Sequence, residues 1–192
     1  MRTNASLGTT TTGKARRFGL DRRVLTGLLA AVAAAAFLAQ AALAAPSSPG
    51  GAVGLDPTDG SKVFLVGHGV GVQIYACDGV AWNFVAPRAD LFADNGQLII
   101  HHFGGPSWQA KDGSTIVGTV VKKATVDQTA VPWLLLSAAP APGSKEGRLA
   151  HTTFIQRVAT VGGIAPPASE CTAATAGTQV EVPYTADYYF WK

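Results

Sequence analysis

Apolar and polar positions along this chain follow two different regimes. Residues 24–45 form an almost unbroken apolar run dominated by alanine. From residue 61 onward, short apolar runs of strand length alternate with turn residues. A two-residue period is visible in several of these runs. Val70, Val72, Ile74 and Ala76 share one face of an extended segment, and Gly71, Gln73, Tyr75 and Cys77 share the other. Residues 116–121 and 133–136 are apolar on both sides. Two-sided strands fit a central position in a sheet, a sandwich, or a closed barrel with apolar contents.

Three turn signals divide the pattern. Asp78-Gly79, Asn95-Gly96 and Asp112-Gly113 each stand between two strand-like runs. Such pairs supply the positive φ angles that two-residue hairpin turns require. They join 70–77 to 80–86, 88–93 to 97–103, and 108–111 to 114–121. Later runs at 133–137, 149–161 and 179–191 are rich in the β-branched and aromatic residues that suit a pleated sheet. No amphipathic helix and no internal repeat interrupts them. The pattern predicts an all-β fold: a single β-sandwich or β-barrel of about eight or nine strands.

The N-terminus has another purpose. Arg16, Arg17, Arg22 and Arg23 precede the apolar run, and Ala42-Leu43-Ala44 closes it with Pro46 just beyond. Basic flank, apolar stretch and Ala-x-Ala make up a secretory signal peptide over 1–44. The alternative is a retained anchor, since the run is long enough to span a bilayer. The Pro-, Ser- and Gly-rich residues 45–60 read as a flexible lead-in, and 61–192 as the all-β domain. The expected location is secreted or periplasmic, with no stable membrane span after cleavage.

Removing the leader changes the charge. The chain has 15 basic and 12 acidic residues, of which six basic and one acidic lie before residue 45. The remainder is slightly acidic, so the sequence pI of about 9.0 belongs to the leader. A slightly acidic domain lacks the basic footprint of nucleic-acid binding, and that class is excluded. Cys77 and Cys171 are the two cysteines. In an oxidising compartment they are expected to form one disulfide rather than remain free thiols.

Recognisable chemistry is sparse. No metal-ligand spacing links His68, His101, His102 and His151, and neighbouring His101 and His102 point to opposite faces of a strand. No metal and no cofactor is therefore expected. Gly67-His68-Gly69-Val70-Gly71 has the wrong spacing for a phosphate loop, and its glycines fit close backbone packing instead. The nucleophile motif Gly-x-Ser-x-Gly is absent.

Four residues make a candidate ligand site. His102 and Trp108 flank the Gly104-Gly105-Pro106 turn, where an imidazole and an indole face could line a ligand mouth. The competing reading is a structural corner with Trp108 packed over the turn. Gln156 and Arg157 interrupt an apolar run, and the planar fork of Arg157 suits an anion. Against this, Arg157 could pair with Asp187 or Glu181. The aromatic ending, with Tyr188 and Phe190 on one face and Tyr189 and Trp191 on the other, reads as a core strand. A carbohydrate platform is its sharper alternative.

These segments together resemble a known family. The carrying pieces are Gly71-Val72-Gln73-Ile74-Tyr75-Ala76-Cys77, His102 through Gly105-Pro106-Ser107-Trp108, and Asp112-Gly113-Ser114. Pro132-Trp133-Leu134-Leu135-Leu136, Ile155-Gln156-Arg157 with Thr160-Val161-Gly162-Gly163, and Val182-Pro183-Tyr184-Thr185-Ala186-Asp187-Tyr188-Tyr189-Phe190 complete the set. The chain is similar to secreted bacterial and fungal proteins grouped as domain of unknown function 3455. The resemblance implies export and one compact domain. It implies no activity, so it assigns no catalytic residue.

The leading functional expectation is a non-catalytic exported domain that binds a small molecule or carbohydrate, or interacts with a surface. An enzyme is the first rival, a hydrolase or isomerase needing His102 or His151 beside a carboxylate such as Asp187. A structural envelope protein is the second.

Overall fold

Each turn dipeptide forms a hairpin. The computed structural model describes residues 49–192, and the expected signal peptide lies outside them. The Asp78 carboxylate accepts the backbone N–H groups of Val80 and Ala81 at 2.9 and 2.8 Å, and Gly79 takes φ 96°. Asp112 accepts Ser114 N–H at 2.9 Å beside Gly113 at φ 86°. Asn95 accepts Gln97 N–H at 3.0 Å beside Gly96 at φ 77°. Short side chains that accept from the backbone two residues on are what hold such turns closed.

Eight strands result: β1 Val63–Cys77, β2 Trp82–Phe92, β3 Leu98–Phe103, β4 Ser107–Ala110, β5 Thr115–Ala124, β6 Trp133–Pro140, β7 Phe154–Gly162 and β8 Gln179–Trp191. Each pairs antiparallel with the next, and β8 returns to β1, closing a barrel. Between sandwich and barrel, the structure is a barrel. Closure leaves no sheet edge to cap. The segments on either side of Pro87 are one strand, since Pro87 sits within β2 opposite Gln73 of β1. The β2–β3 ladder runs only from Ala89 to Phe92, so Pro87 withholds no hydrogen bond from β3.

The glycine-bearing face of β1 is the inner one. Gly67, Gly69, Gln73 and Tyr75 are buried toward the barrel interior, while Val70 is 56 % exposed outside. Packing explains the inward glycines. A Cβ on Gly71 would sit 2.1 Å from the Arg88 carbonyl oxygen, and one on Gly69 would lie 2.8 Å from the Tyr188 ring. Glycine here lets neighbouring strands and large rings fill a narrow barrel.

One end of the barrel is packed solid by Leu65, Leu91, Ile100, Ile116, Ile155 and Phe190. The other end lies near the Cys77–Cys171 disulfide, which ties the end of β1 to the segment before β8. The later part of the segment read as a lead-in lies against β7. Leu55 is buried there, and Gln156 donates to the Leu55 carbonyl and to Asp56, both at 2.7 Å. No helix among the described residues is long and apolar enough to cross a membrane.

Candidate functional site

The end of the barrel opposite the packed core holds a pocket of about 520 Å³. Apolar walls come from Val131, Pro132, Leu134 and Leu136 on one side and from Phe84, Val85 and Pro87 on the other. Phe84 and Val85 are consecutive, yet both line the pocket. A bulge makes this possible: Tyr75 pairs with Phe84 and Ile74 with Ala86, leaving Val85 without a ladder partner.

His102 and Trp108 form its inner floor. They are opposite one another on β3 and β4, and their rings stack 4.3 Å apart at 10°. Tyr188 meets both edge-on, at 5.4 and 6.1 Å. Gly118 makes room for the indole, since a Cβ there would lie 2.9 Å from Trp108 Cζ3. His102 Nδ1 donates to the Ser107 carbonyl at 2.8 Å, which leaves Nε2 as the acceptor of a neutral ring. Burial lowers its pKa to about 4. The Ser107 hydrogen bond opposes that shift, and the Arg157 charge adds to it. The imidazole is therefore uncharged at neutral pH.

Arg157 projects from β7 into the same pocket. Its Nε and Nη2 donate to the Pro132 carbonyl at 3.3 and 2.8 Å, which fixes the plane of the guanidinium. Neither carboxylate expected for it is present. Glu181 pairs with Arg88 at 2.6 Å, and Asp187 binds His68 at 2.7 Å on the outer face. Both carboxylates belong to outward positions of β8, whereas Arg157 points inward beside Tyr188. Burial raises the hydroxyl pKa of Tyr75, Tyr184 and Tyr188, and the Arg157 charge opposes the shift at each. These phenols remain neutral, so Arg157 is the sole charged side chain among the described residues lining the pocket.

Gln73 completes the polar set. It is 2 % exposed and lines the pocket, and its Nε2 has no hydrogen-bond partner of proper geometry, although the amide lies beside the Tyr184 hydroxyl. Three of the four residues singled out in the sequence thus meet at one place: His102, Trp108 and Arg157. Gln156 does not join them. It faces outward from β7 and holds Leu55 and Asp56. The carboxylate named for the enzyme reading, Asp187, is beside neither His102 nor His151. His102 binds a carbonyl, and the carboxylate nearest His151 is that of the exposed Glu146, at 3.7 Å.

A family model described as a protein of unknown function, DUF3455, matches residues 57–192. The chain belongs to this family. No curated protein matches it, and no solved structure does. The DUF3455 match spans all eight strands and every residue named in the pocket. Gln73, Tyr75 and Tyr188 were missed as site residues from the sequence. Their inward direction depends on barrel closure between β1 and β8. The one available signal was that Gln73 and Tyr75 share a face with glycines instead of with valines.

Proposed function

We propose that this DUF3455 protein is an exported, non-catalytic domain that binds a small molecule in the open end of its barrel. One observation carries the reading: a concave, largely apolar pocket whose few polar groups converge around an Arg157 that has no carboxylate partner. Ligand sites are typically concave, mostly apolar and furnished with a small number of placed polar groups. The volume of about 520 Å³ falls in the range that holds a small organic molecule. The fixed floor of His102, Trp108 and Tyr188 favours binding over chemistry. A neutral imidazole with a depressed pKa and no carboxylate beside it is a weak base. Export is supported by the leader pattern in 1–44 and by the disulfide, a bond that persists in oxidising compartments.

The test uses prodan, a neutral dye whose emission rises and shifts in apolar surroundings, with the unaltered protein and a Val120→Trp variant. Val120 lines the pocket and is 52 % exposed, so a larger side chain obstructs the mouth without entering the core. The expected result is saturable dye binding that the variant loses while its unfolding temperature is kept. Absence of binding, or equal binding by both proteins, contradicts the proposal.

A further inference from the structure

We infer that the pocket selects a monocarboxylate with an apolar body, its head held by Arg157 and Gln73. This inference rests on the pocket being a small-molecule site and adds the chemical class of the occupant. Three features point the same way. The first is charge. Arginine stays protonated at any ordinary pH, and a half-buried cation without a counter-ion is costly. Arg157 is such a cation, tied to one backbone carbonyl and to no carboxylate. The Pro132 hydrogen bonds occupy Nε and one N–H of Nη2, the Tyr188 hydroxyl lies beside the guanidinium, and the five N–H groups of the fork still leave donors for a carboxylate.

The second feature is Gln73. Its Nε2 is a buried donor on the pocket wall whose near neighbour, the Tyr184 hydroxyl, does not meet it in proper hydrogen-bond geometry. An unsatisfied buried donor carries a penalty that an acceptor on a ligand removes. Gln73 arrives from β1 and Arg157 from β7, so this observation is independent of the first. The third feature is the balance of the pocket. One positive charge surrounded by Leu134, Leu136, Val131 and Phe84 matches one negative charge on an apolar body. A dianionic phosphate would bring a second charge with no cation to meet it, and a sugar would set its hydroxyls against aliphatic walls.

The discriminating experiment is calorimetric titration of the disulfide-intact protein with octanoate and with octanol, which differ in the head group. Hydrogen bonds to charged groups predict octanoate binding at least about tenfold tighter. Arg157→Met should bring the two affinities together while leaving octanol binding in place, and Gln73→Leu should weaken octanoate alone. Octanol binding as tightly as octanoate to the unaltered protein overturns the inference, whatever the variants do. Prodan binding without octanoate binding also overturns it and leaves the small-molecule reading intact. Loss of all three ligands defeats that reading itself.

Discussion

His102 and Trp108 stand opposite each other on β3 and β4 with their rings stacked at 4.3 Å, and the imidazole reaches the Ser107 carbonyl through Nδ1. The stack holds a titratable ring inside the barrel, which gives stability a definite dependence on pH. The folded-state pKa of about 4 lies below the ordinary 6.5. As pH falls from 6.5 the unfolded chain takes up this proton first, so stability is lost between about 6.5 and about 4. The loss reaches about 3 kcal/mol. His102→Phe keeps an aromatic ring and removes the proton. Urea unfolding at pH 7 and pH 4.5 should show a smaller difference in this variant than in the parent. An equal difference would place the acid sensitivity elsewhere.

His68 should behave with the opposite sign. It bridges Asp94 and Asp187, each at 2.7 Å, and these hydrogen bonds raise its pKa, Asp94 contributing most. A raised folded-state pKa stabilises fully below the unfolded value and loses the benefit as pH climbs through the folded one. The His68→Gln substitution should therefore cost more stability at pH 6 than at pH 9. The His68 side chain is 45 % exposed, so the effect is expected to be modest and weakened by salt. Thermal unfolding at the two pH values checks the direction.

The orientation of β1 can be tested by substitutions at adjacent positions. Gly71→Ala drives a methyl group into the Arg88 and Ala89 backbone and should destabilise by about 1–3 kcal/mol. Val70→Thr, on the outer face, should change stability by less than about 0.5 kcal/mol. Denaturant midpoints for the pair decide the matter. The reverse order would mean that the valine face is the inner one.

Gln156 acts on the barrel exterior. Its amide nitrogen satisfies the Leu55 carbonyl and Asp56, and it is the side-chain link from β7 to that segment. Gln156→Leu removes both hydrogen bonds, at a cost of about 1–3 kcal/mol to the docking of residues 49–56. Limited proteolysis should then cut this segment faster while the barrel core resists as before. Unchanged cleavage would show that burial of Leu55 and the Lys122 hydrogen bond to the Gly54 carbonyl hold it without Gln156.

The strands were legible because their signals are local. Asp78-Gly79, Asn95-Gly96 and Asp112-Gly113 each encode a turn within four residues, and the two-residue period marks what lies between them. The inside of the barrel was harder to read. Along residues 69–76 of β1 the aliphatic side chains face outward and the glycines inward, because a small closed barrel filled by Tyr188 and Trp108 has no room for side chains at Gly69 of β1 or Gly118 of β5. His102 and Trp108 were visible as an imidazole and an indole flanking the Gly104-Gly105-Pro106 turn, and Arg157 as a polar break in an apolar run. Gln156 showed the same break for a different reason, since it is an outward residue covered by the chain before β1. Val85 could not be assigned to the pocket at all. Its place there depends on a bulge between β1 and β2, which has no local sequence mark.

Trp108 and Trp191 offer the most direct test of the pocket as a binding site. Both indoles are buried with no hydrogen-bond partner on Nε1; Trp108 lines the pocket, whereas Trp191 pairs with Val63 and Phe154 at the far end of the barrel. The measurement is the pair of indole N–H signals in a nitrogen–proton correlation spectrum during titration with octanol. The account predicts a saturable shift of the Trp108 signal with the Trp191 signal unmoved. A Trp108 signal that stays in place, or one that moves no more than that of Trp191, would contradict a ligand site at the open end of the barrel.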